Sequence, residues 1–173
     1  MSLPKPTITL TNQTRIPLGL PRLKRLLVQV FDIQKITRGC WSITFVNDQT
    51  MAQLHQRTMN LPTTTDVLTF DLRDSSPSLE TGNRKLETQL DLDTVICVPE
   101  AKRQARLRRH SLADELLLYA IHSLLHVRGY DDQTPAQARR MHRREDLILV
   151  RLGIGPIYAR AEKNPAQQRG AST

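Results

Sequence analysis

Apolar and polar positions repeat with two different periods along this chain, and the change of period divides it. Ile8 and Leu10 alternate with Thr7, Thr9 and Thr11, the period of two expected of a strand. Pro17, Gly19 and Pro21 interrupt. Over residues 22–36, Leu23, Leu26, Leu27, Val30 and Phe31 then recur at helical spacing, with Pro21 suited to the first turn. Gly39 is expected to end that unit. Trp41, Ile43 and Phe45 alternate with Ser42 and Thr44 and predict a strand with one buried face. Asn47 and Asp48 supply a turn and a cap for a short helix over residues 50–57. Residues 66–72 and 90–98 read as further strands. Between them, residues 73–88 are rich in Ser, Thr, Pro, Gly and charge and are expected to form a surface loop or loose hairpin.

From residue 99 onward the period is helical. A basic helix is predicted over residues 99–109, and Ser111 can cap the next one, with Asp114 at its positive end. That helix runs to about residue 127. Its stripe of Leu112, Leu116, Leu117, Ala120, Ile121, Leu124 and Leu125 is wide enough for the middle of a domain. Gly129 can stop it in a left-handed conformation. Thr134, Pro135 and Gln137 have the spacing of a capping box for a last helix to about Leu152, closed by Gly153. The order of elements predicts an α+β fold: a small mixed β-sheet packed with helices around the central one. One domain over residues 1–160 is expected, followed by a polar, loose tail over residues 161–173.

Composition narrows the class. Among 173 residues, 39% are apolar but only 4% aromatic, so the core must be aliphatic. The longest unbroken apolar run, residues 116–121, is far short of the ~20 that span a bilayer. The first residues lack the apolar stretch of a secretory signal. Cys40 and Cys97 are too few for a disulfide framework or a cysteine zinc knuckle, and two buried free thiols in a cytoplasmic protein are expected. A formal charge of +8 favours polyanionic partners without saying which.

The candidate chemistry lies on the central helix. His122 and His126 are four residues apart, so both imidazoles project from nearly one face and can chelate one transition metal. Past the Gly129 stop, Asp131 or Asp132 can supply a carboxylate, leaving a fourth position open for water. A packed or solvated histidine pair is the plain alternative. Ser123 argues against a zinc protease, which needs a glutamate beside the first histidine. His110 and His142 are read as helix-cap or surface residues, and Tyr130 as packing under the loop.

The stretch from His122 through Ser123, Leu124, Leu125, His126, Val127, Arg128, Gly129, Tyr130 and Asp131 to Asp132 resembles the signature of the YbeY family, metal-dependent endoribonucleases of rRNA maturation. That signature reads His-Gly-x-Leu-His-Leu-x-Gly-Tyr-Asp-His. Thr65, Asp66, Val67, Leu68, Thr69 and Phe70 resemble the family's Pro-Thr-Asp-Val-Leu-Ser-Phe strand. Leu92, Asp93, Thr94, Val95, Ile96 and Cys97 resemble its Gly-Asp-Ile-Val-Ile-Ser strand, and the likeness covers about residues 40–155. The resemblance implies a zincin-like central helix and one Zn2+ per chain. Its ligands, which are also the catalytic centre, would be His122, His126 and Asp132. Nickel and similar ions share that donor chemistry.

Four positions at the candidate site depart from the family. Asp132 stands where it has a third histidine, which adds negative charge and weakens the metal as a Lewis acid. His55 replaces an asparagine, and Met59 replaces an arginine of the metal cleft, with Arg57 the nearby substitute. Ser123 for glycine is mild.

The implied function is a single-strand-directed endoribonuclease acting in maturation of the small-subunit rRNA 3′ end and ribosome quality control, with the small subunit as partner and no DNA. Asp131 is a candidate base. A non-catalytic, metal-containing RNA-binding assembly factor is the competing class. The Lys102, Arg103, Arg106, Arg108 and Arg109 cluster, with Arg139, Arg140, Arg143 and Arg144, can track a ribose-phosphate backbone.

Overall fold

A computed structural model describes residues 5–60, 64–73 and 88–162. Four strands form one sheet: β1 (Thr7–Asn12), β2 (Arg38–Val46), β3 (Val67–Asp71) and β4 (Gln89–Cys97), in the order β1-β2-β4-β3. The pairs β1–β2 and β2–β4 are parallel and β3 runs antiparallel to β4, so the sheet is mixed as expected. Six helices are described: α1 (Leu20–Gln34), α2 (Asp48–Met59), α3 (Val98–Arg108), α4 (Leu112–Val127), α5 (Pro135–Arg151) and α6 (Tyr158–Glu162).

Alternation becomes burial as the sequence predicts. Ile8, Trp41, Ile43, Phe45, Leu90, Leu92 and Ile96 all point into the core. Helix α4 lies against β3 and β4 and is flanked by α1, α3 and α5, so it is buried almost all round, Glu115 and Ser123 included. Hydroxyls fix its axial position. Thr69 Oγ1 donates to Ser123 Oγ at 2.9 Å, Thr94 Oγ1 lies 2.8 Å from the same oxygen, and Trp41 Nε1 donates to Thr94 at 2.9 Å. A buried hydroxyl is costly alone, and here each has a partner.

The predicted caps form. Asn47 Oδ1 accepts from Thr50 N, Ser111 Oγ from Asp114 N, and Thr134 and Gln137 complete a capping box at α5. Four expectations need correction. Gly39 does not end α1. Lys35 does, in a left-handed conformation, while Ile36 N donates to Phe31 O and its side chain turns into the core. Gly39 instead lies inside β2 at φ 110. Residue 98 begins α3 rather than ending β4.

The helix closed by Gly153 is not the last. Asp146 accepts amide hydrogens from Ile157, Tyr158 and Ala159 at 2.7, 3.1 and 2.9 Å, which starts α6. Finally, Cys97 is buried but Cys40 is exposed, because position 40 falls on the outward side of β2. The expected loop over residues 73–88 and tail over residues 161–173 lie outside the described residues except at their edges.

Candidate metal centre

Helix α4 delivers two imidazoles to one place, and the turn after it fixes how they point. Arg128 N donates to the carbonyls of Leu124 and Leu125, Gly129 takes φ 85, and Tyr130 N returns to Leu125 O. The Tyr130 carbonyl thereby comes within 3.1 Å of His126 Nδ1. A carbonyl can only accept, so His126 donates from Nδ1, and in the neutral ring Nε2 is the nitrogen with the lone pair. His122 is held similarly from α5, with Nδ1 at 2.7 Å from Glu145 Oε1. The two Nε2 atoms face each other at 2.9 Å across rings set at 85°. Two facing lone pairs repel unless a positive charge lies between them.

Asp132 completes the group, its Oδ2 at 3.6 Å from His122 Nε2 and 3.9 Å from His126 Nε2. These three separations place a single point about 2 Å from all three atoms, the bond length zinc takes to nitrogen and oxygen. The donors therefore fit one divalent ion. Exposure grows from His122 (17%) to His126 (32%) to Asp132 (41%), so the group opens to solvent on the carboxylate side. Asp131, the other acid, is occupied within its own turn: Oδ1 accepts from Asp132 N at 2.8 Å and Oδ2 from Gln137 Nε2 at 3.4 Å.

Burial works against a charge on His122, but the Glu145 hydrogen bond and the nearby charges of Glu145, Asp66 and Asp132 outweigh it. They hold the imidazole above its ordinary value. Glu145 escaped the sequence reading. Its signal was an acid in the inward stripe of Met141, Ile148 and Leu149, where the helical period calls for an apolar side chain.

Neither extra histidine is a surface residue. His110 Nε2 sits 2.8 Å from Glu115 Oε2 without good hydrogen-bond alignment, while Arg108 Nη1 binds the other Glu115 oxygen. His142 stacks on Tyr158 at 3.7 Å. Its burial, with Arg108 and His122 nearby, holds the His142 imidazole below its ordinary value against the opposing charges of Glu145 and Asp146. The unfolded chain therefore takes up a proton first. The resulting stability is present above the ordinary histidine range and lost as pH falls through the folded value. Urea unfolding between about pH 7.5 and about pH 5.5 should show the wild type losing more stability than His142→Phe, which keeps the stack.

The basic clusters divide. On α3, Lys102, Arg106 and Arg109 are exposed, but Arg103 is tied to Asp48 and Glu100, and Arg108 turns inward to Glu115. On α5, Arg139, Arg140 and Arg143 are exposed and Arg144 reaches Gln34. The Arg140 guanidinium lies 5.3 Å from the half-buried Tyr130 ring, on the turn that carries Asp132. Met59, the last residue of α2, stands exposed, as do Arg57 two residues back and the capping Asn60, while His55 is half-buried.

Two histidines at i and i+4 with a carboxylate beyond the helix end, on an α4 packed beneath a mixed sheet, define an α+β protein with a helix-borne candidate metal site. Residues 10–153 match the family described as endoribonuclease YbeY, and the chain belongs to that family. It is 34% identical to the endoribonuclease YbeY of Thermobifida fusca over 145 residues, covering 83% of this chain and 92% of that protein. It is 37% identical to that of Saccharopolyspora erythraea over 131 residues, 76% of this chain and 70% of that one. The solution structure of TM1509 from Thermotoga maritima shares the fold, with a TM-score of 0.57 at 20% identity over 96% of this chain and 99% of that one.

Proposed function

We propose that this chain is a metal-dependent endoribonuclease that cleaves single-stranded rRNA near the 3′ end of the small-subunit RNA. His122, His126 and Asp132 hold the ion, for which zinc is the expected identity. The observation that carries the reading is the convergence of two Nε2 atoms and a carboxylate oxygen on one point, in a group open to solvent on its carboxylate side. Family membership supports the RNA substrate.

A divalent zinc, when bound, supplies water activation near neutral pH and charge relief at a phosphoryl group. The chain's own residues do the rest. The Nδ1 hydrogen bonds to Glu145 and Tyr130 fix both rings in the tautomer that presents Nε2. Asp132, the most exposed of the three, stands on the solvent side of the group. Arg140 beside Tyr130, with Arg139 and Arg143 along the same helix face, offers fixed positive charge to a ribose-phosphate strand. With few aromatics to stack bases, the grip is electrostatic.

Stripping the metal with a chelator should abolish cleavage of a single-stranded rRNA fragment, and adding back zinc should restore it. Elemental analysis of the purified chain should give one ion per molecule. RNA affinity should fall steeply with salt, with a log–log slope of about 0.7 for each neutralised phosphate of the single strand. Cleavage by rigorously metal-free protein overturns the reading. Met59, which cannot neutralise a phosphate, favours the second reading, an assembly factor that binds RNA without cutting it. That reading predicts undiminished RNA binding and no cleavage by the zinc-loaded chain.

A further inference from the structure

We infer that Glu145 is a positioning residue for the metal centre: its buried carboxylate fixes His122 as a ligand and supplies charge that favours a divalent ion. This rests on the proposed metal site and deepens it.

Glu145 is fully buried on the inner face of α5, between Met141 and Ile148 in the stripe that packs on the core. An ionised carboxylate there is costly unless positive charge and hydrogen bonds offset its lost hydration. One oxygen is repaid by the 2.7 Å contact with His122 Nδ1, but Oε2 is buried without a hydrogen-bond partner. Arg108 crosses the neighbouring Tyr158 ring at 5.2 Å, yet its Nη1 is committed to Glu115. The positive charge that would balance Glu145 is therefore best supplied across the His122 ring, at Nε2.

The two imidazoles are anchored unequally. A neutral backbone carbonyl orients His126 at 3.1 Å, whereas a buried carboxylate orients His122 at a shorter distance. A carboxylate behind an imidazole fixes its tautomer and strengthens its other nitrogen as a donor, and loss of such a partner typically costs 10–100-fold in metal affinity. Asp132 brings a second negative charge from the opposite side. Together, Glu145 and Asp132 balance a doubly charged ion, so a divalent cation is retained in a setting where His122 is largely shielded from water.

The test is metal affinity, read apart from activity. Zinc binding to the 173-residue chain is measured by chelator competition, and the ligand field by the visible absorption of the cobalt-substituted protein. Glu145→Gln keeps size and an acceptor but removes the charge. It should bind zinc about 10–100-fold more weakly than wild type and shift the cobalt spectrum. Glu145→Asp, which keeps the charge at shorter reach, should recover part of the loss. Ser123→Ala removes the hydroxyl that ties α4 to Thr69 and Thr94 without touching either ring. It should lower stability and leave zinc affinity within about threefold. Nitrogen-15 NMR of wild type loaded with cadmium-113 should show coupling at His122 Nε2 and a proton on Nδ1, independently of whether any variant folds.

Equal zinc affinity in wild type and Glu145→Gln overturns the inference, as does metal coupling at Nδ1. Failure of the wild type itself to bind zinc would instead sink the metal site on which it rests.

Discussion

His126→Ala should lose its metal ion and, with it, on the order of 10³-fold or more of its cleavage of single-stranded RNA. In the proposed site the ring is one of two nitrogen donors, and water in its place would be a far weaker ligand. Folding should change little. The His126 side chain is one-third exposed, and outside the metal group it donates a hydrogen bond to Tyr130 O. Replacement should cost about 1 kcal/mol in urea unfolding of the metal-free forms. RNA binding should persist, because the arginines of α5 do not depend on the ion. Loss of metal with intact fold, intact binding and no cleavage marks a catalytic site. Collapse of the melting temperature on metal loss would mark a structural ion instead. Full cleavage by a metal-free His126→Ala protein would reject metal catalysis altogether.

Much of this site was legible because it is local. Four residues separate His122 from His126, and Gly129 stops the helix just beyond them, so helix geometry alone places both rings and turns the chain back. The choice between Asp131 and Asp132 was not local. It depends on Gln137, in the first turn of α5, which engages Asp131 through a weak contact and leaves Asp132 to face the rings. Glu145 was hidden for a related reason. It is 23 residues from His122, and its buried position becomes meaningful only once α5 is packed beside α4.

The fold divides in the same way. Alternation located Trp41, Ile43 and Phe45 on one face of β2, but nothing periodic in the chain specifies that β2 lies between β1 and β4 with both pairings parallel. The inward turns of Arg108 and His110 were missed because both sit in a run that reads as solvated charge. A buried Glu115 on the next helix draws them in. Gly39 was misread because a glycine after a helical run ordinarily marks its end. Here a lysine accepts the left-handed conformation, at a cost of roughly 1–2 kcal/mol, and the glycine serves the sheet.

That use of Gly39 makes Gly39→Ala the most damaging substitution of a single methyl group the structure identifies. In the β2–β4 ladder, Gly39 stands opposite Leu90. A Cβ added there would lie 1.7 Å from Leu90 O and 2.6 Å from its carbonyl carbon. Both are backbone atoms, so no side-chain rotation relieves the clash. The φ of 110 is itself a conformation that alanine resists. The strands must part at this point, and the parallel register that aligns Trp41 with Leu92 and Ile43 with Thr94 is lost or strained. Thr94 is one of the hydroxyls that hold Ser123, so the disturbance reaches the helix carrying both histidines. A loss of about 3–5 kcal/mol is expected, a large part of the 5–15 kcal/mol that holds a typical domain together. Gly129→Ala is the control: φ is 85 but the space is open, so strain of roughly 1–2 kcal/mol is the whole effect. Urea unfolding of the two variants should separate them by more than about 1 kcal/mol, with Gly39→Ala also depleted from the soluble fraction. Equal stability of the two would mean that β2 can leave β4 at residue 39 without cost, and that the histidine-bearing helix does not depend on this register.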